Sequence, residues 1–118
     1  MSITANILIG FVAFLHICFL VLEIFLWERP VGLHTFGNTR ESARATRILA
    51  MNQGLYNGFL AAGLIWGSSL GPTGNSIKVF FLGCVVIAGI FGGITASRKI
   101  FFVQALPAAA ALFLLMLS

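Results

Sequence analysis

Charge is the scarcest commodity in this chain. Only 8% of its 118 residues are charged, while 59% are hydrophobic. A soluble domain of this size could not cover its surface with so few charges, which excludes the ordinary globular classes and points to a membrane protein. Cysteine is scarce too. Cys18 and Cys84 both lie in apolar runs, where a free thiol packs as a small hydrophobe; a disulfide would require the two to meet in space. His16 and His34 stand on different elements without ligand spacing, so no metal site is expected. Phosphate-cradling glycine loops, nucleophile elbows and nucleic-acid motifs are missing as well. Neither a cofactor nor a nucleic-acid partner is expected, and there is no internal repeat.

Long apolar runs make up most of the chain. They cover Ile3–Trp27, Ala43–Trp66, Ile77–Ala96 and Ile100–Leu117, each near or above the ~20 residues that a helix needs to cross hydrocarbon. Backbone groups cannot stay unpaired in lipid, so helices are the expected spanning form. The first run lacks a basic leading segment and a small-residue cleavage pattern, so it is expected to remain as a span. The fold class read from the sequence is therefore all-α: one polytopic domain over residues 1–118, a bundle of four transmembrane helices. Between the first two runs, Glu28 to Ser42 reads as a polar loop in which Pro30, Gly32 and Gly37 break helix. Asn38 with Glu41 has capping-box spacing, predicting that the second helix starts near Thr39. Gly71-Pro72-Thr73-Gly74-Asn75 signals a turn, and Ser97-Arg98-Lys99 a tight one.

Orientation follows from the basic residues. Arg29, Arg40, Arg44 and Arg47 flank the first connection and Arg98 and Lys99 form the third, against Lys78 alone on the opposite side. Positive residues favour the cytoplasm, so both termini are expected outside it (N-out and C-out). Arg40, Arg44 and Arg47 are expected to share a helix face at the membrane surface, where they would hold anionic lipid headgroups or, as a sharper alternative, an acidic group of a substrate.

Against this background the few polar residues at membrane depth stand out, because such groups are costly there and mark function. Counting ~1.5 Å per residue from the cytoplasmic edges puts Glu23 ~6 Å deep and Asn52 and Gln104 ~7.5 Å deep, with His16 and Asn57 at ~15 Å. His16, Leu20, Glu23 and Trp27 share one helix face; Asn52 and Tyr56 share another, with Gln53 and Asn57 beside them. Pro107 cannot donate to Val103, which frees a carbonyl next to Gln104 and predicts a bend. The expectation is a polar pocket open toward the cytoplasm, walled by the first, second and fourth spans. Glu23 and His16 would be its acid and base, with Asn52, Gln53, Tyr56, Asn57, Gln104 and Trp27 binding the ligand. The bland alternatives are interhelical hydrogen bonding by the amides and histidine, and a Glu23 that reaches the interface to pair with Arg29 or Arg47. Two small-residue stripes, Gly54-x-x-x-Gly58 and Gly89-x-x-x-Gly93-x-x-x-Ser97, permit close helix contact within a bundle or between copies.

The stretches Leu15-His16, Leu22-Glu23-Ile24-Phe25-Leu26-Trp27, Phe36-Gly37, Asn52-Gln53-Gly54-Leu55-Tyr56-Asn57-Gly58-Phe59-Leu60-Ala61 and Gln104-x-x-Pro107 resemble the bacterial integral-membrane proteins of domain of unknown function 1304. The likeness covers nearly the whole chain. It implies a four-span protein of the bacterial inner (cytoplasmic) membrane, in a family whose members are sometimes labelled epimerases; it carries over no catalytic residue. In architecture the chain is also similar to the membrane-associated eicosanoid and glutathione enzymes, which form trimers. Their Glu before the matching Asn is Met51 here, which argues against glutathione binding.

These readings converge on an intramembrane pocket for a lipophilic small molecule, with isomerisation by Glu23 and His16 if the protein is an enzyme. Membrane lipids and further copies of the chain are the expected partners. The alternatives from other classes are an oligomeric proton-coupled transporter and a structural accessory subunit whose amides only join helices.

Overall fold

The computed structural model describes residues 3–118, and every regular element among them is helical. In chain order these are α1 (Ile3–Ile24), α2 (Pro30–Phe36), α3 (Arg40–Ala45), α4 (Arg47–Ser69), a 3-10 turn (Gly71–Gly74), α5 (Asn75–Thr95) and α6 (Arg98–Leu117). Three helical segments, Ile3–Ile24, Gly71–Thr95 and Arg98–Leu117, are long and apolar enough to cross a membrane. The remaining long helix, α4, has 23 residues, or ~34 Å, which is also sufficient length. Its apolarity is lower, because Asn52, Gln53, Asn57 and several glycines interrupt the run. Among the described residues, three helices rather than four therefore combine length with apolarity.

The long helices match the expected runs to within a few residues, whereas the first connection departs from expectation. It contains two short helices instead of an irregular loop. Pro30 sits in the first turn of α2, where its fixed φ suits a helix start, and Gly37 ends that helix with φ 68°, the left-handed value that glycine adopts without strain. The next cap lies one residue later than predicted. Thr39 is the N-cap of α3, its hydroxyl accepting from the Ser42 amide at 3.1 Å while Ser42 Oγ accepts from the Thr39 amide at 3.1 Å. Ser42 thus takes the reciprocal role assigned to Glu41. Thr46 (φ −107°, ψ 10°) then interrupts the helix, so α3 and α4 are separate. In α6, where a bend was expected, Leu106 reaches back to the Phe101 carbonyl and Phe101–Ala105 widens into a π-helical turn just before Pro107.

By its contacts the chain divides into two compact units. One comprises the chain up to Phe14 together with Leu60–Ser118; the other is Leu15–Phe59. The first unit holds an apolar core of Ile9, Val12, Leu64, Leu82, Val85, Ala108, Ala111 and Leu115, with Phe81 and Val86 packed against it. Its glycine stripe serves packing inside the unit: a Cβ on Gly89 would come within 2.5 Å of the Ala105 amide nitrogen, and one on Gly93 within 2.7 Å of Phe101 Cβ, so α5 and α6 lie backbone to backbone. Large apolar side chains such as Phe80, Phe91, Ile94 and Phe113 remain exposed, Ile94 by 80%. So much outward apolar surface is what a hydrocarbon solvent would favour.

The second unit comprises the end of α1, both short helices and the first half of α4. Its Gly54 and Gly58 let α4 approach α1 closely: Cβ atoms there would meet Ile24 Cγ1 and Leu20 Cδ1, each at 2.7 Å. The Trp27 indole N–H donates to the Ala43 carbonyl at 2.9 Å and lies 3.3 Å from Thr46 Oγ1, while the ring packs on Phe36 with centroids 4.9 Å apart. Trp27 therefore ties the two short helices to the end of α1.

Candidate functional site

The close approach of α1 and α4 in the second unit has a chemical consequence. Asn57 falls between the levels of the two glycines' contacts on α4, and Glu23 projects from the facing side of α1. Asn57 Nδ2 donates to Glu23 Oε1 at 2.5 Å, with Glu23 8% and Asn57 4% exposed. Neither Arg29 nor Arg47 pairs with Glu23. Arg47 Nε instead lies 3.5 Å and Arg44 Nε 3.7 Å from the Glu28 carboxylate. Those arginines are well exposed, so the two ion pairs are worth at most about 1 kcal/mol each. The Glu23 carboxyl thus has a neutral amide as its partner. A carboxamide carries both a donor and an acceptor, so the same neighbour can serve a carboxylate by donating and a carboxylic acid by accepting.

His16 lies two turns earlier on α1, fully buried, its ring meeting Phe19 edge-on at 5.3 Å. The His16 and Glu23 Cα atoms are ~10.5 Å apart along the helix. Leu20 lies between them on the same stripe and packs over Gly58.

The other predicted site residues are distributed differently. Asn52, Gln53 and Tyr56 are exposed on α4, on the side away from the Ala50–Gly54–Asn57–Ala61 stripe that is buried. Trp27 is occupied in the hydrogen bonds described above. Gln104 is buried in the π turn of α6, in the other unit. Arg40, Arg44 and Arg47 are all exposed, but the break at Thr46 places them on two helices rather than one. The polar residues expected in one chamber are thus divided: Glu23 and Asn57 meet, whereas Asn52, Gln53 and Tyr56 face outward. Depth from the charged edges would place Glu23 level with Asn52 and Gln104, and His16 level with Asn57. The pairing of Glu23 with Asn57 crosses those two levels, because the register of α4 on α1 is set by the glycine contacts rather than by distance from the charged edge.

Among the described residues, no group of three His, Cys, Asp or Glu lies close enough to hold a metal ion, and Cys18 and Cys84 are free thiols. Two open grooves of about 470 and 460 Å³ are both lined by residues of the first unit, and neither includes Glu23, His16 or Asn57. Lys78, which lines the larger groove, is 1% exposed. In the sequence Lys78 marks topology, and its place three residues into α5, as a lone lysine, is the local signal of its burial.

These elements define a class: a small all-helical chain with three membrane-compatible helices and a carboxyl–amide pair buried between two of its helices. The chain belongs to the family of proteins of unknown function DUF1304, whose model matches residues 10–116. It is similar to the uncharacterised protein YpaA of Lactococcus lactis, with 27% identity over 106 residues that cover 88% of this chain and 89% of the relative. No solved structure matches it.

Proposed function

We propose that this is a four-span protein of the bacterial inner membrane, N-out and C-out, that binds a lipophilic small molecule and exchanges a proton with it through Glu23. The observation that carries the reading is the buried Glu23 carboxyl held by Asn57. Ionisable groups at membrane depth are costly and mark ligand or proton sites, and a neutral amide partner suits a carboxyl that must exist in both protonation states. In this reading α4 is the fourth span, entering beside the basic connection that the positive-inside rule assigns to the cytoplasm.

His16 is the second acid–base group of the proposed isomerase. Leu20 separates it from Glu23, so the two act on different atoms of one ligand rather than relaying a single proton. Asn52, Gln53 and Tyr56 would face lipid in a lone chain, an unfavourable place for amides. A second copy laid on this face would cover them, which supports a homo-oligomer. The exposed Arg40, Arg44 and Arg47 are suited to anionic headgroups of the inner leaflet.

The test begins with mass spectrometry of small molecules extracted from the purified wild type and from a Glu23→Gln variant that melts at a similar temperature. One lipophilic compound should be enriched in both. Incubated with it in D₂O, the wild type should introduce deuterium and the variant should not. A folded wild type that enriches no compound, or a variant that exchanges deuterium as fast as the wild type, refutes the proposal. The same amide-held carboxyl also favours a proton-coupled carrier; solute accumulation in proteoliposomes under a pH gradient would identify that activity.

A further inference from the structure

Within the first unit, the start of α1, the end of α4 and the start of α5 border the groove of about 470 Å³, a volume in the range of ligand sites. Its lining separates by chemistry. Asn6, Ser68, Ser69 and Lys78 supply polar groups, and Ile9 and Ile65 are among its apolar residues. Gly10 also lines it, and a Cβ built there meets nothing within 4 Å, so that part of the groove is open.

Lys78 is the unusual member. It is 1% exposed, the largest fully buried side chain among the described residues. Its stem lies against Gly67, where a Cβ would come within 3.0 Å of Lys78 Cγ. Among the described residues no acidic group pairs with it, since both ion pairs involve Glu28, and no side-chain hydrogen bond joins it to a neighbour. A lysine held inside without a counter-charge is unfavourable, and lysine heads near membrane edges normally reach outward to water. This one stays inside, in the first turn of α5, where the positive end of the helix dipole also favours an anion.

We infer that this groove binds an amphiphilic anion: a phosphate or carboxylate head at Lys78, flanked by Ser68, Ser69 and Asn6, with an apolar chain lying against Gly10 and Ile65. The site is separate from the proton chemistry proposed for Glu23 and shares with that proposal only the membrane setting. The ligand is either an anionic phospholipid of the outer leaflet or a diffusible long-chain carboxylate, which present the same chemistry.

Native mass spectrometry of the full chain in neutral detergent tests the site, with three probes: phosphatidylglycerol, phosphatidylcholine and palmitate. The wild type should retain phosphatidylglycerol or palmitate in preference to phosphatidylcholine, and whichever is retained distinguishes the two sources. Lys78→Met should weaken that binding by about tenfold or more, as expected for loss of a charge-assisted contact, and Lys78→Arg should largely preserve it. Gly10→Leu, which leaves the ammonium untouched, should weaken it as well by filling the path of the chain. This variant keeps the test available if Lys78→Met does not fold. Equal retention of all three probes, or full binding by the folded Gly10→Leu protein, overturns the proposal; the latter would assign any Lys78 effect to surface attraction alone.

Discussion

The two compact units differ in what they place inside. The first is held by an aliphatic core in which Leu64, Leu82, Val85, Ala108 and Ala111 are completely buried. The second buries His16, Glu23 and Asn57, and seats Ile24 and Leu20 of α1 on Gly54 and Gly58 of α4. Apolar packing is tolerant of direction. A hydrogen bond across two helices is not, because a shift of one residue in α4 would carry Asn57 away from Glu23. The second unit accordingly holds the buried carboxyl–amide pair, and the first holds the larger apolar core.

Substitutions can break this contrast, beginning with the apolar core. Leu82→Ala should cost about 2–5 kcal/mol through the cavity it leaves, measured by unfolding in detergent, and should leave the Glu23–Asn57 pair intact. Next come the two amides on opposite sides of α4. Asn57→Leu strips the buried carboxyl of its partner and should cost about 1–3 kcal/mol, whereas Asn52→Leu, at an exposed position, should stay within about 0.5 kcal/mol in the monomer. Equal costs at the two sites would mean that Asn57 has no special partner. A subtler comparison uses Gly→Ala in each unit. At Gly89 the new methyl meets the Ala105 backbone, which cannot move aside cheaply, and the overpacking should cost about 1–3 kcal/mol. At Gly58 it meets the end of Leu20, a flexible side chain, and the effect should be smaller. The smallest effect belongs to the exposed pairs at Glu28. Arg44→Ala should change stability by less than about 1 kcal/mol, and by less still in high salt.

Much of the fold was legible because hydropathy is a local property. The boundaries of the long helices, the turn at Gly71–Asn75 and the tight connection at Ser97 all follow from residues close together in sequence. The polar loop proved to be helical because Pro30 and Gly37, read as breakers, occupy the helix positions that suit them. The site was legible in part. His16, Glu23, Asn57 and Gln104, polar residues within apolar runs, are all buried, but which of them meet depends on the register between helices. Counting from charged edges misses that register: Gly54 and Gly58, noted as a packing stripe, hold the information that brings Asn57 to Glu23. The outward direction of Asn52 and Tyr56 follows from the same register.

The most direct test of the account is a double-mutant cycle between Glu23→Leu and Asn57→Leu, with unfolding free energy measured in lipid bilayers. The buried hydrogen bond predicts that the double variant is more stable than the sum of the single losses implies, by about 1 kcal/mol. Losses that add to within about 0.3 kcal/mol would show that the two side chains do not interact in the membrane, and the site built on them would fall.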